Sequence, residues 1–157
     1  MAIDLSKYPS KSLEELREEL INIALTCQKN IGNAPSITGF IAELDAAKVV
    51  GVSYEDYCKE MHDTSAVKRG YDFTFKNKCY QVKACRPSGR DGSEITRIPS
   101  VKNYEWDILV WIKYDEYFNI NEIWQIEIDE FLRHFDGRRN ISVIEFTKIA
   151  IPLTFKK

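Results

Sequence analysis

The stretch from Tyr104 to Tyr114 constrains this chain most, because Trp106 and the unbroken run Ile108, Leu109, Val110, Trp111 and Ile112 are apolar whichever way they point. A strand that is apolar on both faces belongs in the middle of a sheet that is covered on both sides. The residues before it supply helical cover. Ser12 and Glu15 have the form of a capping box, and Leu13, Leu16, Leu20, Ile23 and Leu25 follow at near-helical spacing to about Lys29. A second helix is predicted from Ser36 or Thr38 to about Val50, stopped by Gly51, and a third from Ser53 to about Met61. After Gly70 the period changes to two. Tyr71, Phe73 and Phe75 alternate with Asp72, Thr74 and Lys76, and a turn at Asn77-Lys78 leads into a strand from Cys79 to Cys85. A loop rich in Gly, Ser, Pro and Arg then reaches about Asn103, and beyond the central run come a strand from Glu122 to Ile128 and a helix from Asp129 to Phe135. The tail from Ile141 to Phe155 reads as either a short helix or a strand. This order predicts an α/β (α+β) sandwich with a central mixed β-sheet flanked by helices. At 157 residues the chain suits one domain, residues 1–157.

Net charge of -2 excludes a uniformly basic nucleic-acid binder. Between Lys83 and Lys102, however, the basic residues Lys83, Arg86, Arg90, Arg97 and Lys102 outnumber the acidic Asp91 and Glu94, which fits a local phosphate-contacting edge. No apolar stretch approaches the ~20 residues of a membrane span, and the first residues lack a charged-then-apolar leader, so a cytoplasmic location without membrane attachment is expected. The cysteines Cys27, Cys58, Cys79 and Cys85 form no CxxC pair. They read as reduced thiols acting as small hydrophobes rather than zinc ligands.

The hairpin carries the chemistry. With Asn77-Lys78 as a two-residue turn, Thr74 falls opposite Gln81 and Asp72 opposite Lys83. Alternation turns Tyr80, Val82 and Ala84 to the core and leaves Gln81 and Lys83 on the other face. A hard divalent cation takes oxygen ligands, and Asp72, the side-chain carbonyl of Gln81 and the backbone carbonyl of Val82 offer three. Lys83 can hold an attacking water or stabilise charge developing on a phosphate. Asp107, at the start of the central run, reads as a solvated carboxylate outside this site.

Gly70-Tyr71-Asp72 followed by Tyr80-Gln81-Val82-Lys83-Ala84 resembles the paired motif of the PD-(D/E)XK nuclease superfamily, the fold of many restriction enzymes. Thr38 to Leu44 is similar to the superfamily's helix that offers a glutamate, here Glu43, and Tyr104 to Val110 to the strand after its catalytic hairpin. The resemblance spans about residues 36–130. It implies a restriction endonuclease-like core and a Mg2+-dependent endodeoxyribonuclease, with Mn2+ able to substitute. In that scheme Asp72, Gln81, Val82 and Glu43 hold the metal and Lys83 positions the water. Arg86, Arg90, Arg97 and Lys102 lie along double-stranded DNA, and a homodimer allows both strands to be cut. One departure matters: Gln81 stands where the superfamily has Glu or Asp, which removes a charge from the metal site. The alternative is a catalytically silent DNA-binding or protein-interaction subunit of the same fold.

Overall fold

Ser12 opens the first helix, α1 (Leu13–Ile31), by accepting from the Glu15 N–H at 3.1 Å while the Glu15 carboxylate accepts from the Ser12 N–H at 2.8 Å. Gly32 ends it with φ 82°, a left-handed conformation that glycine adopts without steric penalty. The computed structural model describes residues 2–64 and 70–156, and the chain divides into two units, residues 1–35 and 36–157. Helix α1 belongs to the first; every expected site residue lies in the second.

In the second unit α2 (Thr38–Val50) starts at Ile37 without a side-chain cap, so neither Ser36 nor Thr38 fills that role. Helix α3 (Tyr54–Asp63) is capped by Ser53, which accepts from the Asp56 N–H at 3.1 Å. Then follow β1 (Phe73–Phe75), β2 (Lys78–Cys85), β3 (Arg97–Ile98), β4 (Ile108–Tyr114), β5 (Ile120–Glu127), α4 (Ile128–Phe135), β6 (Ile141–Ser142), α5 (Val143–Ile149) and β7 (Ile151–Pro152). The ambiguous tail thus contains both a helix and short strands. A five-stranded sheet runs in the order β1-β2-β4-β5-β7, and β3 pairs with β6 in a second, small sheet. Strands β2 and β4 are parallel while the other neighbours in the five-stranded sheet are antiparallel, so the fold is mixed α/β and the connection from β2 to β4 crosses over.

The apolar run lies where its composition requires, although β4 begins at Ile108 rather than Tyr104. Between β2 and β5, its residues Ile108 to Ile112 are all buried. Leu109 and Trp111 join Ile126, Phe131, Phe135 and Phe146 in one cluster, with Trp106 meeting Phe131 edge-on at 5.4 Å and Trp111 meeting Phe146 at 5.9 Å. Each large apolar side chain so buried stabilises the fold by about 1.5–3 kcal/mol. Trp106 and Trp111 are therefore core anchors. Helix α2 packs against β2, and its buried Ala42, Ala46 and Ala47 are small enough to bring the helix backbone close to the strands.

The hairpin register differs from the expected one. The turn is Lys76-Asn77, with φ 47° and 60°, the pair of positive angles that a type I′ connection requires. Phe75 therefore faces Lys78, Thr74 faces Cys79 and Phe73 faces Tyr80. This register stacks the Phe73 and Tyr80 rings at 5.0 Å and 6°, a cross-strand aromatic pair that the other register would separate. Asp72 consequently comes opposite Gln81, not Lys83.

Candidate active site

Gly70 fixes the approach to the hairpin. Its φ is +67°, and an added methyl would lie 2.7 Å from Asn103 Oδ1 and collide with Glu105 as well, so only glycine fits. Two residues on, the Asp72 N–H donates to the Tyr80 carbonyl at 2.7 Å, continuing the hairpin past the end of β1. The Asp72 carboxylate turns to β2. Its Oδ2 accepts from Gln81 Nε2 at 2.7 Å and from the Val82 N–H at 2.6 Å. The same Nε2 lies 3.4 Å from the Val82 carbonyl oxygen.

The structure thus brings Asp72, Gln81 and Val82 together, with Gln81 only 7% exposed. This burial departs from the outward-facing position read from the alternation, because Gln81 lies in register with Leu109 of the core cluster. Lys83, half-buried and in register with Trp111, shares the Gln81 face by alternation. It is a diagonal neighbour of Asp72 instead of its direct partner.

The amide orientation has chemical content. An ionised carboxylate has only acceptors, so at 2.7 Å it can face the amide nitrogen and not the amide oxygen. The carboxamide oxygen expected as a metal ligand is the end not turned to Asp72. Even so, Asp72 Oδ2 and the Val82 carbonyl converge on one point, the Gln81 nitrogen. With a half-turn of the amide the set becomes a carboxylate, a backbone carbonyl and a carboxamide oxygen, which suits an oxygen-seeking cation such as Mg2+. Among the described residues, no group of three or more His, Cys, Asp and Glu side chains is arranged to hold a metal. A cation here would thus lean on neutral oxygens.

Glu43 is half-buried on α2. Glu43 and Asp72 both act electrostatically on a residue absent from the sequence reading, Tyr57 of α3. The Tyr57 ring is buried and meets Phe73 edge-on at 6.5 Å. Burial first, then the negative charges of Glu43 and Asp72, push its phenol well above the usual tyrosine range. No motif announces this residue; its signal is only a tyrosine on the inward face of a short helix.

Asp107 is not a solvated carboxylate. It grips the backbone at the start of β2, its side-chain Oδ2 accepting from the Cys79 N–H at 2.7 Å and its own N–H donating to the Cys79 carbonyl at 2.8 Å. Its carbonyl also accepts from the Ile128 N–H at 2.9 Å, so it joins β2, β4 and α4. The cysteines are free thiols, and burial pushes those of Cys79 and Cys85 upward.

The basic residues separate into two kinds. Arg86 is engaged within the fold: its Nε donates to the Glu116 carbonyl at 2.9 Å and its guanidinium stacks over Phe118 at 4.3 Å. Its burial lowers the guanidinium pKa. Arg90 and Lys102 are exposed on the loop between β2 and β4. Arg97, on β3, donates to Asn140 Oδ1 at 3.0 Å, and Arg138 donates to the Asn140 carbonyl at 3.2 Å, so two arginines distant in sequence meet at one asparagine.

No family model and no curated protein matches the chain.

Proposed function

We propose that this chain is a metal-dependent endodeoxyribonuclease of the PD-(D/E)XK type, restriction-like in its substrate, with its chemistry at the Asp72 end of the hairpin. The observation that carries this reading is the convergence of Asp72 Oδ2 and the Val82 carbonyl on the buried Gln81 amide, with Lys83 on the same face of β2. In this reading Asp72, Val82 and Gln81 hold Mg2+ or Mn2+, and Glu43 adds negative charge from α2. The bound cation supplies a Lewis acid and lowers the pKa of a coordinated water. Lys83 holds the attacking water or meets the charge that develops on the phosphate. Arg90, Arg97 and Lys102 contact the DNA backbone. Arg86 joins them only by giving up its carbonyl partner. A twofold dimer would present two such sites to the two strands of a symmetric sequence, in the cytoplasm.

The test is plasmid cleavage by the purified chain in Mg2+ or Mn2+. The wild type cuts, and Asp72→Ala and Lys83→Ala each lose the activity. Cleavage that survives in both variants overturns the site.

The orientation of Gln81 favours a second reading, a DNA-binding or protein-interaction subunit of the same fold without catalysis. Its amide nitrogen, rather than its oxygen, is turned to Asp72. Calorimetric titration separates the two: DNA binding at low salt, where phosphate contacts are strongest, with no divalent-ion binding in either the presence or absence of DNA, selects the silent subunit.

A further inference from the structure

We infer that the amide nitrogen of Gln81 is a built-in substitute for a cation, holding the Asp72 site closed until the amide turns. Asp72 Oδ2 at 2.7 Å and the Val82 carbonyl at 3.4 Å both face Nε2. Two acceptors directed at one point need a positive partner there, and the partial positive charge of the N–H bonds supplies it. Gln81 is 7% exposed, so water does not readily take over that role, and an unmatched acceptor at this depth would be costly. The Val82 N–H, at 2.6 Å from the same Oδ2, holds the carboxylate in place. The glutamine thus stabilises the ion-free state, and a cation must first displace an amide hydrogen bond. The inference rests on the reading above in taking the displacing group to be a divalent cation.

Gln81→Glu turns this arrangement around. A second carboxylate beside Asp72 brings repulsion where the amide brought a hydrogen bond, and a divalent cation between the two carboxylates relieves it. The ion-free variant therefore melts lower than the wild type by about 5 °C or more. Millimolar MgCl2 or MnCl2 restores its midpoint while raising that of the wild type much less. Calorimetry with Mg2+ or Mn2+ alone finds binding to the variant tighter by about tenfold or more, since affinity at oxygen sites follows ligand charge. A second variant guards against misfolding. Gln81→Met keeps the length of the side chain without a donor; it also melts lower, and Mg2+ does not rescue it.

An ion-free Gln81→Glu as stable as the wild type, or a wild-type midpoint that rises with Mg2+ as much as the variant's, overturns the inference. The two readings fail separately. If Gln81→Glu depends on the ion for stability but neither it nor the wild type cuts DNA, the substitution holds and the nuclease proposal falls. If the wild type's midpoint rises with the ion as much as the variant's and the wild type cuts DNA, the reverse is true.

Discussion

Asp45 and Gln81 are equally buried, each 7% exposed, and among the described residues they are the buried polar side chains of this fold. Both are matched to a partner at 2.7 Å, Asp45 to the Tyr114 hydroxyl and Gln81 to Asp72. Their surroundings differ. The first pair joins the middle of α2 to the end of β4, where Tyr114 is fully buried and its hydroxyl donates to Asp45 Oδ2 across two packed elements. The second lies on the outer hairpin of the sheet, where Asp72 is half-buried and its Oδ2 accepts twice. Depth and bond length are the same in both, so neither marks a functional residue. The distinguishing feature is that two oxygens around Gln81 converge on a group that another positive partner could replace.

The largest difference between the pairs is expected in cleavage. Asp72→Ala and Lys83→Ala each lower the rate about a thousandfold, the scale seen when a positioned electrostatic group is removed from an active site. Asp45→Ala changes the rate per folded molecule less than about threefold, since its 2.7 Å bond runs to Tyr114 rather than to the hairpin. Initial rates of plasmid nicking, normalised to the folded fraction, check this. Equal losses from Asp45→Ala and Asp72→Ala would remove the distinction between the pairs.

In stability the order is reversed. Asp45→Ala removes an acceptor at 2.7 Å from the buried Tyr114 hydroxyl, at a cost of about 1–3 kcal/mol. Urea unfolding of Asp45→Ala, Tyr114→Phe and the double variant should reveal coupling between them, the double losing less than the sum. Additive losses would show that the 2.7 Å bond contributes nothing of its own. Gly70→Ala falls in the same range, about 1–3 kcal/mol for a non-glycine residue forced to a positive φ, with the collision against Asn103 and Glu105 added to it. Because Gly70 leads directly to Asp72, this variant should also slow cleavage, whereas the changes at Asp45 should not.

The sequence made the central strand legible because five successive apolar residues leave a strand no exposed face, and β4 is indeed buried from Ile108 to Ile112. The capping box at Ser12 was legible for a similarly local reason: a hydroxyl and the backbone N–H three residues on decide it. Register was harder to read. The choice between Lys76-Asn77 and Asn77-Lys78 for the turn is weakly set by local preference, since Asn77 tolerates a positive φ in either. The stacking of Phe73 on Tyr80 selects the first, and a two-residue shift in pairing kept Asp72, Gln81 and Lys83 as neighbours while exchanging which one faces Asp72. Three-dimensional proximity was not legible. Nothing in sequence order connects Tyr57 with Glu43, or Arg97 with Arg138 through Asn140, and the fixing of Arg86 by a carbonyl far along the chain has no local signature.

The smallest expected effect tests whether Glu43 and Asp72 act on one place. Tyr57 is held neutral by burial and then by these two charges. In the unfolded chain its phenol ionises near its ordinary value of 10.0, whereas in the folded chain ionisation is pushed higher. The neutral phenol therefore contributes stability that is fully present below pH 10 and is lost as pH rises from there toward the folded value. Burial raises Tyr80 in the same direction. Ultraviolet titration of the native protein, which contains eight tyrosines, should leave these two un-ionised after exposed phenols have titrated. Asp72→Asn and Glu43→Gln each remove a charge facing Tyr57 and should bring its titration down toward the ordinary range, but only partway, because burial is the larger cause. Asp45→Asn, which alters the other buried pair, should leave it in place. A Tyr57 titration that ignores Glu43 would detach α2 from the Asp72 site and take Glu43 out of the proposed metal environment; one that moves equally with Asp45 would mean that the two buried pairs share a single electrostatic field.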